Sequence, residues 1–483
     1  MSSYLILIAI TAFLVWATVR IVKRTGQWTF AVGMAVLYAW TFLGAWFFIG
    51  DALSGYQGFH IGLNYYYLME KMFPFELNAD YNRALAGYSL FMVCLVGGTW
   101  ITLGPRQPRT SPVAGSLPVD HRVFLFAAFC GAVVSFILVR PLIAQAMAAD
   151  LSIYRYTRLT AYSGYTLHSL CNEMVCIALL VGWAIHLTAD RGRFFTQIGQ
   201  RWARWAYPVA LGAFTVYLML LGNRHELFMA LLLGGLLFVA NAIRLPVVRL
   251  AFYVLAVVLP LLITGKYRDY TWDSIKELQT EGPHSEAPFN VPIIAHVPRN
   301  FHSGTASFGA HFLSNELFCA HFSLYGILHH HVHPECGVSF RYLASSVVPM
   351  ALRPERTSTA YDVYAAGAGL DPDQGYTIHH AAGWYLNFGW PGIAIGGLLL
   401  GLCWGWLMRL RNRLPAGPLA YRIFAVTGVA CWVAFLPILV RNGPETYKAL
   451  VFEGFLIPVG IILLACAMAR RKNRYPVRNT AAA

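Results

Sequence analysis

The chain has 483 residues, of which 57% are hydrophobic and only 12% charged, and its formal net charge is +14. A soluble protein of this length carries roughly a quarter charged residues, so the composition excludes an ordinary globular enzyme and points to a chain folded largely within a bilayer. The positive charge calls for no nucleic-acid partner, because its placement along the chain accounts for it.

Hydropathy predicts an all-α polytopic membrane protein with about eleven transmembrane helices, each near the roughly 20 residues that a bilayer core requires. The runs are 4–22, 28–50, 85–103, 123–144, 165–188, 205–222, 227–243, 249–265, 384–408, 423–440 and 450–469. The first lacks a basic leading region and a small-residue cleavage site, so it is expected to be a retained helix. The expected organisation is an N-terminal bundle over 1–265 (about eight helices), a large loop over 266–383, and a C-terminal region over 384–483 (about three helices and a basic tail). The loop carries two further apolar stretches, 306–328 and 337–352, both interrupted by polar residues. They are expected as short interfacial or re-entrant helices, although two extra crossings would keep the same parity.

Alternate loops differ sharply in charge. One set holds Arg20, Lys23 and Arg24, then Arg106, Arg109 and Arg122, then Arg191 to Arg204, Arg244 and Arg249, Arg409 to Arg422, and the tail from Arg470 to Arg478. Positive loops remain cytoplasmic. The N-terminus is therefore expected in the periplasm and the C-terminus in the cytoplasm of an inner membrane, with 266–383 periplasmic. The nine cysteines form no CxxC or zinc-ribbon pattern. Cys319 and Cys336, both in the large loop, are read either as a pair or as two free thiols. No internal repeat is visible, which weakens a transporter reading.

Against this topology, ten arginines fall on the side where they are disfavoured: Arg140, Arg155, Arg158, Arg224, Arg268, Arg299, Arg341, Arg353, Arg356 and Arg441. Guanidinium forks grip phosphate oxygens in pairs. A set of them at a membrane surface suits a lipid-linked diphosphate, while any single one could simply pair with an outside acid. Arg224, in "LLGNRHELF", sits in a turn almost without a loop, and Arg441, in "LVRNGPETYK", ends another apolar run. Arg155 and Arg158 share a face if their stretch is helical. Glu173 lies inside the run 165–188, near His168 and Asn172, where a carboxyl is costly and is either functional or hydrogen-bonded.

Eleven of the sixteen histidines fall between His284 and His380. "HHHVHPEC" (329–336) invites a metal reading, but adjacent histidines rarely converge on one ion, and no HExxH frame is present. No metal and no cofactor are expected. His379 and His380 differ, because with Tyr376 and Thr377 they stand at the mouth of an apolar helix. One of them could be a general base or a phosphate contact, and the alternative is a capping histidine at the interface.

Three stretches resemble the bacterial O-antigen polymerases, the oligosaccharide repeat unit polymerases. They are the "GNRHEL" turn leading into a Leu-rich helix, "VVPMALRPER" at the end of the large loop, and "GYTIHHAAGWYLNFGWPGIAIGG". The crossing count and the dominant late loop resemble that family as well. The chain is also similar to the related O-antigen ligases, except that Ala381 follows His380 where their pattern has Asn. The resemblance implies a GT-C-like fold and an undecaprenyl-diphosphate-linked oligosaccharide as donor and acceptor, in contact with membrane lipid. A chain-length regulator is the further partner expected. The function expected on these grounds is polymerisation of the lipid-linked repeats at the periplasmic face. The alternatives are ligase-type transfer to another acceptor and transport of a polysaccharide precursor. His379, His380 and Arg224 are the catalytic candidates. Arg155, Arg158, Arg299, Arg353, Arg356, Tyr376 and Arg441 are the expected substrate contacts.

Overall fold

The computed structural model describes residues 2–46, 48–49, 77–103, 117–148, 165–188, 192–197, 200–221, 225–267, 319–346, 357–370, 377–413 and 417–474. In chain order the helices are α1 (Ser2–Thr25), α2 (Trp28–Tyr38, continued by a wider π turn over Ala39–Leu43), α3 (Ala79–Leu103), α4 (His121–Ala148), α5 (Tyr165–Thr188), α6 (Ala203–Leu221), α7 (His225–Asn241) and α8 (Val247–Tyr267). There follow α9 (Cys319–His329), α10 (Val338–Ser346), α11 (Ala360–Ala368), α12 (His380–Arg413), α13 (Leu419–Asn442) and α14 (Ile457–Arg474). Two three-residue strands, β1 (Leu117–Val119) and β2 (Phe195–Gln197), pair in parallel with Leu117 opposite Phe195.

The protein is a helical, multi-pass membrane protein. Eight of the described helices are long and apolar enough to cross a bilayer. The other three expected runs fold as α6, α7 and α8, of 19, 17 and 21 residues. Helix α1 gives the physical reason. Leu7, Ile10, Leu14, Ala17 and Ile21 recur at helical spacing and are buried, yet the opposite face exposes Leu5, Ile8, Val15, Trp16 and Val19. Helix α4 does the same with Phe126, Phe129, Phe136 and Ile137. Apolar surface on this scale is stable only against hydrocarbon. The short helices of the large loop span far less: at 1.5 Å per residue, α9 covers about 16 Å and α10 about 14 Å, roughly half a bilayer core.

The chain divides into two compact units. The first contains α1, α2, α3, α9, α10, α11, α12, the last turns of α13 and the turn after it. Helices α3 and α12 approach closely along a glycine seam. A Cβ at Gly397, Gly401 or Gly405 would press into the backbone oxygens of Phe91, Leu95 and Thr99, and one at Gly98 into that of Leu398. Small residues of this kind are what lets membrane helices meet. At the other end, Gln27 donates to the Met408 carbonyl (2.9 Å) and to Asn412 Oδ1 (2.7 Å), tying the α1–α2 turn to the end of α12.

Helix α12 is not one rod. It breaks at Phe388 (φ −146°, ψ 16°) and Gly389 (φ 65°, ψ −150°), just before Pro391. Within the apolar stretch expected as one span, a short first piece is thus set off from the long one. The carbonyls freed by the break are not left bare: Glu335 N–H donates to Leu386 O (2.7 Å) and Gly337 N–H to Asn387 O (3.3 Å). Gly389 has a conformation open essentially to glycine alone, and a Cβ there would meet Pro334 and Pro391 only at 3.9 Å. Gly389→Ala should therefore destabilise through backbone strain and not through a clash, by about 1–3 kcal/mol. Thermal unfolding in detergent measures it, and an unchanged midpoint would contradict the assignment.

The second unit contains β1, α4, α5, β2, α6, α7, α8, the first turns of α13, and α14. Helix α5 is its axis: Val175 to Val181 and Trp183 to Ile185 are buried on every face, as befits a helix apolar all round. One end is fastened by polar groups. Gln200 donates to Asp120 Oδ1 (2.6 Å) and accepts from His121 N–H (2.8 Å), and Lys472 pairs with Asp120. Burial alone would push the Asp120 carboxyl up, but the Gln200, Lys472 and Arg122 N–H donors outweigh it and hold it below its usual range. Asn241 receives the N–H groups of Phe194 (2.8 Å) and Phe195 (3.1 Å), which fixes the end of α7 to β2.

Candidate functional site

The strip Thr377–His380 lies in the first unit, where Ile378 makes a parallel bridge to Asn442. This joins the mouth of α12 to the end of α13, so the sequence-predicted His379, His380 and Arg441 come to the same end of two helices. Arg441 closes α13 and is half-buried. The other predicted contacts, Arg155, Arg158, Arg224, Arg299, Arg353, Arg356 and Tyr376, lie outside the described residues.

Both histidines are fully buried, and their partners distinguish them. His379 precedes the first residue of α12, and its Nδ1 accepts the Ala381 N–H (3.1 Å), the bond of a helix cap. The ring proton therefore sits on Nε2, which donates to Thr41 Oγ1 (3.0 Å). The backbone N–H of His379 donates to Ser323 Oγ (3.0 Å). Burial, with His380 and His321 beside it, holds the His379 imidazole well below its usual range, so it is neutral. His379 is a capping and packing residue, with its ring against Tyr88 and Phe91.

His380 is arranged the other way. Its Nδ1–H donates to the Leu439 carbonyl (3.1 Å), which leaves Nε2 as the acceptor. That nitrogen receives the Tyr447 hydroxyl (2.9 Å) and the Trp384 indole N–H (3.1 Å). Tyr447 is only part-buried. The hydroxyl of a part-buried tyrosine, which also receives the Trp384 indole N–H (3.2 Å), is thus backed by a buried neutral imidazole whose ring is fixed by a backbone carbonyl. A hydroxyl backed in this way can relay a proton. His321 on α9 forms a similar but fully buried pair: Nδ1–H donates to Thr41 O (2.6 Å) and Nε2 accepts from Tyr81 (3.1 Å). Burial lowers His321 to about 4, the Thr41 carbonyl only partly offsetting it.

A second polar chain supports this end of α12. Asn387, just before the break, donates to Ser339 Oγ (2.8 Å) and Gly383 O (2.7 Å) and accepts the Ser339 N–H (2.9 Å). Ser339 Oγ–H donates in turn to Glu445 Oε1 (2.7 Å), which also receives the Ala360 N–H (2.9 Å) at the start of α11. Three helices, α10, α11 and α12, thereby hold the turn that carries Tyr447. Sequence reading did not single out Tyr447, Ser339 or Asn387. The signal available was that "LVRNGPETYK" keeps a hydroxyl six residues beyond Arg441.

The histidine run is a different matter. His331 and His333 are exposed on a turn after α9, with His331 at φ 52°. Among the described residues no group of three or more His, Cys, Asp or Glu side chains is arranged to hold a metal ion. Cys336 is an exposed free thiol, and the side chain of Cys319 lies outside the described residues. No protein-family model matches the chain, and neither a curated protein nor a solved structure matches it.

Proposed function

We propose that the protein is an inner-membrane glycosyltransferase of GT-C-like fold that joins oligosaccharide repeats carried on undecaprenyl diphosphate at the periplasmic face. The observation that carries this reading is the Tyr447–His380 pair at the mouth of a broken helix, beside the Arg441 end of α13. The sequence resemblance to the O-antigen polymerases supports the same donor. In the reaction an acceptor sugar hydroxyl attacks the anomeric carbon of the donor repeat. A new C–O bond forms there as the bond to the phosphate oxygen breaks, and the lipid diphosphate leaves with the electron pair. The acceptor proton passes to the Tyr447 oxygen while the Tyr447 proton moves to His380 Nε2. Guanidinium groups, Arg441 and the outside arginines of the large loop with Arg224, stabilise the charge that grows on the diphosphate. His379 holds the mouth of the helix and takes no proton.

Two measurements on one preparation test the reading. Native mass spectrometry of protein extracted from a glycan-producing host should detect a bound lipid diphosphate. A Gln279→Cys reporter should react with an impermeant reagent from the periplasm. A protein without bound lipid diphosphate, or a reporter reached only from the cytoplasm, would overturn it.

One observation favours transport of the lipid-linked precursor instead: carboxyls lie within the membrane helices of the second unit, where Glu173 is fully buried. A transporter would move the lipid-linked donor across vesicles without consuming it, whereas the transferase consumes it with no second compartment present.

A further inference from the structure

The second unit contains a group that glycosyl transfer does not use. Glu173, near the start of α5, is fully buried, and among the described residues its carboxyl oxygens meet no donor except the carboxyl of Glu453. Its polar neighbours on the same helix turn to one another instead. Asn172 accepts from Ser135 (2.5 Å) and donates to His168 Nε2 (3.3 Å), and Tyr217 reaches both Ser135 (2.7 Å) and His168 (3.2 Å). The groups that act on Glu173 are carboxyls, Glu453 foremost and then Glu226. Glu226 is itself buried, held by Ser169 Oγ (3.0 Å) and facing His225 Nδ1 at 3.6 Å. Glu453 lies in the π-wound stretch Leu450–Leu456 that leads into α14, and such widened turns recur at functional sites.

A bare carboxylate at this depth, with two more carboxyls acting on it and no basic group paired with it, costs several kcal/mol. Among the described residues no lysine or arginine forms an ion pair with Glu173. The ionisable groups around it are Glu453 in the π-wound stretch before α14, Glu226 and His225 on α7, His168 and Cys176 on α5, and Tyr217 on α6. Carboxyls forced to share a site resolve the repulsion by holding a proton between them. A metal ion would need a cage of three or more such ligands, which the described residues do not form here.

We propose that Glu173, with Glu453 and Glu226, is a proton-binding site inside the second bundle, through which the protein exchanges a proton within the membrane. Chains of acidic and imidazole groups at such depth are what proton relays are made of. The proposal is independent of the glycosyl-transfer reading, and its test involves no glycan.

The test is carbodiimide modification, which requires a protonated carboxyl in an apolar setting, mapped by peptide mass spectrometry on wild-type protein in detergent. The expected result is an adduct on Glu173 that declines as pH rises and is unchanged when sodium chloride replaces choline chloride. Infrared spectra supply a second reading. Glu173→Gln, which mimics the protonated form, should elute and unfold as wild type does and should lose a carboxylic-acid C=O band present at neutral pH. An adduct suppressed by sodium at constant pH would make the site one for a metal cation and overturn the proposal. The absence of both the adduct and the band would overturn it as well.

Discussion

Gly401→Val is expected to prevent the first unit from folding. Its Cβ would be driven into the Leu95 carbonyl and the backbone of Thr99. These are backbone atoms of a neighbouring helix, which cannot turn aside as a flexible side chain can. Overpacking costs about 1–3 kcal/mol where side chains can adjust and more where they cannot, against a total stability of roughly 5–15 kcal/mol for a domain. The same seam fixes α12 on α3, so its loss would release the helix that carries His380. The comparison is Gly97→Val. That glycine is on the facing helix α3, one residue before Gly98, but its Cβ meets nothing within 4 Å. Monodisperse yield and thermal unfolding in detergent should separate the two, with Gly401→Val lost and Gly97→Val close to wild type. Equal behaviour would mean that the seam does not hold the helices together.

The adjacent histidines should separate as sharply. His380→Gln is expected to lower turnover by about a hundredfold or more, the scale of general base catalysis, while donor binding and yield persist. His379→Asn should retain turnover, because asparagine is a good helix cap, but should unfold earlier because the packing against Tyr88 and Phe91 is lost. His379→Ala removes the cap as well and costs about 1 kcal/mol more. Donor binding, turnover per folded molecule and unfolding temperature, measured together, decide it. Turnover lost in His379→Asn and kept in His380→Gln would reverse the roles assigned to the two rings.

The membrane helices were legible in the sequence because an apolar run of bilayer length has few other uses. The break in α12 was not, because "NFGWPG" lies within a stretch whose hydropathy continues past it. Only a positive φ at Gly389 and donors from Glu335 and Gly337 make that break stable. Topology led to the expectation that the Thr377–His380 strip and Arg441 lie at one level of the bilayer, and in the structure the Ile378–Asn442 bridge joins the two segments. Which histidine has a free role was not legible. Tautomers follow from partners distant in sequence, such as Thr41 for His379 and Leu439 with Tyr447 for His380. Glu173 drew attention as a charge in an apolar run. That Asn172 and His168 leave it alone depends on Ser135 and Tyr217, which arrive on other helices.

The most direct test of glycosyl transfer at the Tyr447–His380 pair uses purified protein in lipid nanodiscs, where no second compartment exists, with a synthetic undecaprenyl-diphosphate-linked oligosaccharide. The account predicts release of undecaprenyl diphosphate together with a ladder of products spaced by one repeat, lost in His380→Gln and strongly reduced in Arg441→Lys, whose ammonium lacks the guanidinium fork. Folded wild-type protein that binds the donor but releases no lipid diphosphate, or a ladder undiminished in both variants, would contradict it.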